Sequence, residues 1–184
     1  MACKIDRGSA FDCTTLTQGG IKDYFYLINK EDFDNYQVLT VDGTSKEITA
    51  ITLASGTQGY KFSVPKGSLQ IIPISTLRKT SSQGGYDHSL DVRITDTSQL
   101  SIENLEKMQY QKVVAIVPLL SGKFKLYGRN VGLRMDVLDI NDADADTSGT
   151  VHMVLSAPDD PPEVHNPILI ADTYDITELD SAAA

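Results

Sequence analysis

Short apolar segments separated by turn residues run through most of the chain, and this alternation constrains the fold more than any other feature. In the segment HSLDVRIT, the residues Leu90, Val92 and Ile94 alternate with polar residues, which places them on one face of a strand. Turn residues such as Asp42-Gly43 favour tight reversals between such segments. The longest apolar run, Val113 to Leu120, is too short to span a bilayer. The pattern predicts a mostly β chain.

About nine short strands and one short helix are predicted. The helix covers about residues 99–110, with Ser98 or Ser101 as its N-cap and with Ile102 and Leu105 in its apolar stripe. The expected architecture is a β-sandwich or a partly closed barrel, with the helix covering one end or face. Residues 29–45 are polar and rich in turn residues, so a loop or a lone strand is expected there.

The composition indicates one folded domain followed by a distinct C-terminal segment. The 184 residues are 41% hydrophobic and 22% charged, which are values typical of a globular protein with a single core. Residues 158–184 contain four of the seven prolines and no Lys or Arg. We therefore expect a domain over residues 1–157 and an extended, acidic arm over residues 158–184, in which the sequence ILIA could pair with a strand of this chain or of a neighbouring subunit.

The two cysteines and the N-terminal residues indicate the cellular compartment in which the protein is made. Cys3 and Cys13 have neither a redox-active spacing nor histidines at zinc-site spacing nearby, and both free thiols and a disulfide remain open. The sequence MACKIDRGSAFDC lacks the apolar core of a signal peptide. A protein made and assembled in the cytoplasm, with no membrane partner, is expected.

The charge of −9 is unevenly distributed. Residues 1–134 hold all 16 Lys and Arg against 13 Asp and Glu, which gives +3, whereas residues 135–184 hold 12 acids and no base, which gives −12. A basic stripe that would neutralise phosphates is missing, so tight binding of nucleic acid is disfavoured. Opposite charges at the two parts of the chain could orient one subunit against another, although a solvated acidic surface is an equally good interpretation.

An acidic loop is the best candidate for a metal site. Asp139, Asn141, Asp142, Asp144 and Asp146 offer the hard oxygen ligands that Ca²⁺ prefers. However, Thr147 stands where a calcium loop needs glycine, and Met153 stands where it needs a bidentate glutamate. A solvated turn is favoured, and no metal or other cofactor is predicted.

No constellation of residues indicates catalysis. The three histidines, His88, His152 and His165, are isolated from one another and from cysteines, and no nucleophile motif is present. The glycine segments GTQG (56–59) and YGRNVG (127–132) lack the lysine and following helix that would bind phosphate. Glu103 and Glu106 are expected to be solvated, and the eight tyrosines fit a core better than an interface. The chain is predicted not to be an enzyme.

The order of several segments resembles that of phage tail tube proteins, in particular the tube-like proteins of phages and prophages of Bacteroides-type hosts. These segments span most of residues 13–162 and comprise GGIKDYFYLIN, KEITAITL with GYKFSVPKG, one helix, KVVAIVPLLSGKFKLYGRNVGL and SGTVHMVLSAPDDPP. Within them, Gly122 to Gly128 matches the glycine-aromatic hairpin of the group, Gly132-Leu133 its turn, and Ser148 to Leu155 its late strand. The 158–184 arm and the polar 29–45 stretch depart from the group.

The resemblance implies a virion structural protein without catalytic or cofactor chemistry. Such subunits form rings, a hexamer or a dodecamer, in the tail tube or at the tail or neck of the virion. Stacked rings make a conduit for DNA ejection, so the partners would be further copies of the chain, other tail or neck proteins and DNA in transit. The alternative from another class is a monomeric β-sandwich binding module for carbohydrate or adhesion, in which the acidic loop would bind Ca²⁺.

Overall fold

The computed structural model describes residues 20–36, 38–53, 56–64, 71–79, 84–94, 98–140, 150–158, 163–164 and 166–179. Within these ranges the chain forms eleven strands: β1 (Tyr24–Asn29), β2 (Val38–Val41), β3 (Ile48–Thr52), β4 (Tyr60–Ser63), β5 (Ile71–Lys79), β6 (Gly84–Ile94), β7 (Val113–Pro118), β8 (Phe124–Tyr127), β9 (Arg134–Ile140), β10 (Val151–Ser156) and β11 (Ile168–Ile170). The helices are α1 (Lys30–Tyr36), α2 (Gln99–Met108) and a 3₁₀ turn (Ile176–Leu179).

The strands form two sheets of unequal width. The wider sheet has seven strands in the order β2-β3-β11-β8-β7-β1-β4, and the narrower has four in the order β5-β6-β10-β9. Both are open at their edges in the part of the chain that the structure describes. The prediction of a mostly β, sandwich-like fold is therefore confirmed, and the partly closed barrel is not what forms.

The main core lies between the two sheets, and the sequence alternation explains it. Leu90, Val92 and Ile94 on β6 are all buried, as are Val151, Met153 and Leu155 on β10. Their neighbours along the strands, which are polar apart from Val154, face the opposite side of the four-stranded sheet. These residues pack against the side of the seven-stranded sheet that carries, among others, Phe25 and Val117. Alternation of period two thus gives this sheet one apolar and one polar face.

Strand β7 is buried on both faces, which explains its uninterrupted apolar sequence. All six of its residues are buried. Val113, Ala115 and Val117 face the main core. Val114 and Ile116 face a second cluster on the other side of the seven-stranded sheet. Phe33 of α1 and Tyr174 belong to that second cluster. A strand covered on both sides is typically a continuous hydrophobic run rather than an alternating one.

The helices match the prediction in one case and differ in the other. Helix α2 begins after Ser98, whose side chain accepts a hydrogen bond from the backbone N–H of Ser101 at 3.3 Å, so Ser98 is the N-cap. Helix α1 and strand β2 occupy the stretch predicted to be a loop or a lone strand. Helix α1 is seven residues long and buries Phe33. A helix this short shows too little apolar periodicity to be recognised from the sequence. No helix among the described residues has the length and hydrophobicity needed to cross a membrane.

Residues 166–179 of the C-terminal segment lie in the fold instead of extending from it. Strand β11 is inserted between β3 and β8, with Ile168 to Ile170 antiparallel to β8 and Ile170 paired with Ile48 of β3. Beyond it, Tyr174, Ile176 and Leu179 pack into the second cluster. The proline content and acidity of this segment suggested an arm, but its few apolar residues are the ones that cover the outer face of the seven-stranded sheet. The expected pairing of ILIA is made within the chain.

Candidate assembly surface

The outer face of the four-stranded sheet is its polar side and is the first candidate surface. The strand registers place Asp87, Asp91 and Arg93 of β6 on this face. Further members from the other three strands are Ile72, Ile74, Thr76, His152, Val154, Ser156, Arg134, Val137 and Asp139. The face is mixed, and its described charged groups include more carboxylates than guanidinium groups.

Side-chain contacts join three strands across this face. The Nε2 atom of His152 on β10 lies 2.8 Å from Oδ1 of Asp91 on β6. Its Nδ1 atom lies 3.9 Å from Oδ2 of Asp139 on β9. Nearby, the hydroxyl of Ser156 donates a hydrogen bond to Asp136. Cross-strand pairs of this kind stabilise a sheet and fix its register.

A buried polar cluster holds the loop between β8 and β9. Gly128 and Gly132 adopt φ values of +70° and +77°, which glycine tolerates and other residues rarely do. The backbone N–H of Gly128 donates to Nδ1 of His88 at 3.1 Å. Asn130 donates its backbone N–H to Glu163 at 3.0 Å, and that carboxylate has no exposed surface. The glycine segment YGRNVG therefore encloses a carboxylate of the chain itself.

The loop between β8 and β9 fixes the orientation of the His88 ring. Because its Nδ1 accepts a hydrogen bond from Gly128, the geometry assigns the proton to Nε2 and the imidazole to its neutral form. The ring also meets Tyr127 edge to face, with centroids 5.5 Å apart. Burial of the Tyr127 phenol raises its pKa to about 12. His88 is thus a structural residue in the core.

A groove of about 790 Å³ lies between β4 and helix α2. Tyr60 and Phe62 line it from β4, and Leu100 and Met108 line it from α2. Tyr60 is 47% exposed and Leu100 is 69% exposed, so apolar surface is uncovered on both sides. The charged residues among its described lining are Lys61 and Lys107, which make the groove mildly basic.

The other residues singled out in the sequence are dispersed. Asp139 is exposed at the end of β9, whereas residues 141–149, with the rest of the acidic loop, lie outside the described residues. Cys3, Cys13 and His165 lie outside them too. Glu103 and Glu106 are exposed on α2, as expected. The tyrosines divide between the core, with Tyr26 and Tyr127 buried, and the surface, with Tyr60 and Tyr110 exposed.

Sequence reasoning missed the groove and the buried carboxylate. Glu163 was assigned to a solvated arm because it follows the acidic, proline-rich sequence PDDPPE. Only the tertiary structure brings it to the β8–β9 loop. The two glycines of that loop were the available signal, because adjacent backbone N–H groups in a glycine turn can donate hydrogen bonds to a carboxylate. No comparable signal marked the groove, whose walls are 40 residues apart in sequence between Tyr60 and Leu100.

The part of the chain that the structure describes contains no group of three or more His, Cys, Asp or Glu side chains arranged to hold a metal ion. Comparisons with known proteins give no match: no protein-family model, no curated protein and no solved structure is similar to this chain. The function therefore has to be argued from the two sheets, their edges and their surfaces.

Proposed function

We propose that this chain is a virion structural protein that forms rings of a phage tail tube or of the tail or neck, through which DNA is ejected. The observation that carries the proposal is the four-stranded sheet, which has an apolar inner face, a more polar outer face and, among the described residues, two open edges. Such a sheet can line an aqueous conduit while its edges meet those of neighbouring copies. The order of segments that resembles tail tube proteins supports the same function.

The charge of the polar face suits a surface along which DNA moves. Asp91, Asp136 and Asp139 are among its carboxylates. A face rich in lysine and arginine would bind phosphates and release counterions, which would hold DNA in place. Carboxylates repel the phosphates, and Arg93 and Arg134, the arginines among the described side chains of the face, leave the repulsion moderate. The face would permit passage without adhesion.

The unequal sheets give the subunit the shape that closure of a ring needs. Seven strands span roughly 29 Å and four strands roughly 14 Å at the usual spacing between strands. A subunit with a wide and a narrow layer is a wedge, and wedges placed side by side curve towards the narrow layer. In the proposed ring, the four-stranded sheet would therefore lie inside and the seven-stranded sheet outside.

The edges of the four-stranded sheet also suit a head-to-tail contact. All three pairings in this sheet are antiparallel, so its edge strands β5 and β9 run in opposite directions. Copies related by rotation about an axis along the strands would therefore bring β9 beside β5 in antiparallel orientation. Pro73 removes one backbone donor from β5, which limits how many hydrogen bonds this contact can make.

Mass photometry and negative-stain electron microscopy of the purified protein test the proposal. We expect closed rings with a central hole, or tubes of stacked rings, at micromolar concentration. A species that stays monomeric across protein concentration and ionic strength would contradict the ring proposal. A monomer that changes with added Ca²⁺ would favour the alternative of a binding module.

A further inference from the structure

The seven-stranded sheet has two open edges that complement each other. Strands β2 and β4 are its outermost strands, and neither has a second strand partner among the described residues. Proline is absent from both strands, so every residue keeps its backbone N–H. A strand edge with unpaired donors and acceptors is a template for another strand. Each copy thus presents one such edge at either end of the same sheet.

The directions of these strands permit the favourable pairing between copies. Five of the six pairings in the sheet are antiparallel, and only β3 with β11 is parallel. Five reversals across the sheet make β2 and β4 antiparallel to each other. Rotation about an axis along the strands preserves direction, so β4 of one copy would meet β2 of the next in antiparallel orientation. Because the two edges differ, the contact is head to tail, as a ring requires.

The faces of the two strands restrict the register. Lys61 of β4 is opposite Tyr26, and Val41 of β2 is opposite Ile48. Tyr26 and Ile48 both belong to the second cluster, so Lys61 and Val41 lie on the same side of the sheet. In a continued sheet, residues directly opposite each other share a face. Val41 can therefore pair with Lys61 or Ser63, but not with Tyr60 or Phe62.

The groove beside β4 provides room for the added strand. When Val41 is opposite Lys61, residues 38–41 align with residues 61–64, and Asp42 comes next to Tyr60 on the side of the groove. Asp42 is exposed, and hydrogen bonds from Ser45 hold the pKa of its carboxyl below the usual value. The groove carries Lys107 on its α2 wall. Opposite charges would meet there, and the added strand would cover exposed Tyr60.

We propose that β2 of a second copy pairs with β4 beside the α2 groove and continues the seven-stranded sheet from one subunit to the next. This inference rests on the proposed function, because it identifies a contact of the ring. The proposed function described a contact between the four-stranded sheets of neighbouring copies, and this inference adds a contact between their seven-stranded sheets. The residues that would meet there are Val41 and Asp42 on one copy, and Lys61, Ser63 and Lys107 on the other.

Continuation of both sheets would also limit the number of copies. Each copy adds three more strands to the outer layer than to the inner one, about 14 Å of circumference at the usual strand spacing. Layers that pack about 10 Å apart differ in circumference by roughly 63 Å, so both layers close together with roughly four to five copies. A ring of twelve would leave one of the two layers open.

Cysteine cross-linking of assembled protein tests the contact. In a background in which Cys3 and Cys13 are replaced by serine, Val41→Cys is combined in one chain with Lys61→Cys or with Ser63→Cys. The matched control combines Val41→Cys with Tyr60→Cys, which is adjacent in sequence and half exposed but faces the other side of the sheet. After oxidation, a ladder of covalent oligomers is expected for position 61 or 63, several times stronger than for position 60. Chains carrying only one of the cysteines, mixed in pairs, should give covalent dimers and no ladder.

The outcomes separate the contact from the function. Rings that form but give no more cross-linking at positions 61 and 63 than at position 60 would overturn the β2–β4 contact and leave the ring function standing. A ladder that ends at the ring's own copy number would support both. Protein that never assembles would overturn the ring function and, with it, the contact that rests on it.

Discussion

At the scale of single residues, the buried carboxylate of Glu163 stands out, because it is enclosed by the loop that joins β8 to β9. Its oxygens accept hydrogen bonds from the backbone N–H groups of Asn130 and Val131. The backbone of Glu163 also accepts a hydrogen bond from Tyr86 at 2.7 Å. Glu163 thus fixes the start of the C-terminal segment to β6 of the four-stranded sheet and to the loop that follows β8 of the seven-stranded sheet.

Replacing Glu163 by glutamine should destabilise the protein. The amide nitrogen of glutamine is a donor, and turning it towards backbone N–H groups would leave buried donors without an acceptor. A loss of about 1–3 kcal/mol in the free energy of unfolding is expected, measured by urea denaturation. Glu103→Gln on the exposed side of α2 is the matched control and should change stability by less than about 0.5 kcal/mol. Equal effects of the two substitutions would contradict the role given to the enclosed carboxylate.

The phenol of Tyr127 should ionise at a higher pH than an ordinary tyrosine. Burial raises its pKa to about 12, above the ordinary value near 10, because the interior disfavours the charged form. The stability that this neutral phenol contributes is complete below about pH 10 and is lost as the pH rises towards 12. In a spectrophotometric titration of the eight tyrosines, Tyr127→Phe should remove a component near pH 12. Tyr110→Phe, at an 85% exposed position, should leave that component in place.

At the scale of elements, β11 shows how a segment with few apolar residues can become part of a sheet. It is three residues long, yet it fills the space between β3 and β8. Lys123 and Glu47 form an ion pair at 2.5 Å that connects residues next to those two strands. The hydroxyl of Tyr174 donates a hydrogen bond to the carbonyl of Ile51 at 3.1 Å, which fixes the chain after β11 over the sheet.

Ending the chain after Pro167 should therefore unfold it. The truncation removes the buried side chains of Ile170, Tyr174, Ile176 and Leu179. Burying one such side chain stabilises a fold by about 1.5–3 kcal/mol, so the sum approaches the whole stability of a typical domain. Circular dichroism and thermal melting should show loss of cooperative unfolding. Thr173→Ala, at an exposed position of the same segment, should melt like the natural sequence. A truncated chain that melts cooperatively would show that the segment is a separate arm after all.

At the scale of the whole molecule, the polar face of the four-stranded sheet determines what the proposed conduit can do. Its described carboxylates and arginines lie on β6 and β9, and each of these strands carries both signs of charge, so no strong basic patch forms among the described side chains. The lining of a passage for DNA should attract or repel the phosphates only weakly, because any strong attraction would slow the movement of the polymer. This face has that character.

Reversing the charge of β9 should make rings bind DNA. The double substitution Asp136→Lys and Asp139→Lys removes two negative charges and adds two positive ones, which changes the charge of the proposed lumen by +4 for each copy. At low salt, fluorescence anisotropy should show at least a tenfold gain in affinity for a DNA oligonucleotide, with a steep dependence on salt. The control, Glu103→Lys with Glu106→Lys, makes the same change of charge on α2. A similar gain in both proteins would contradict the assignment of the four-stranded sheet to the lumen.

Elements whose signal is local could be predicted from the order of the amino acids. The alternation of Leu90, Val92 and Ile94 predicted the amphipathic strand β6, and the apolar run at Val113 predicted β7. Ser98 and the stripe through Leu105 predicted α2. These features depend on the spacing of side chains along one element, which the sequence states directly.

The tertiary structure alone decided which strands are neighbours and which polar groups are buried. Insertion of β11 between β3 and β8 joins residues more than a hundred positions apart, and no local pattern encodes that choice. The same holds for Glu163, whose burial depends on backbone donors contributed by a distant loop. The groove and the open edges are likewise properties of the packed sheets. Burial of apolar surface selects among arrangements that the local sequence leaves equivalent, and the proposed assembly surfaces follow from that selection.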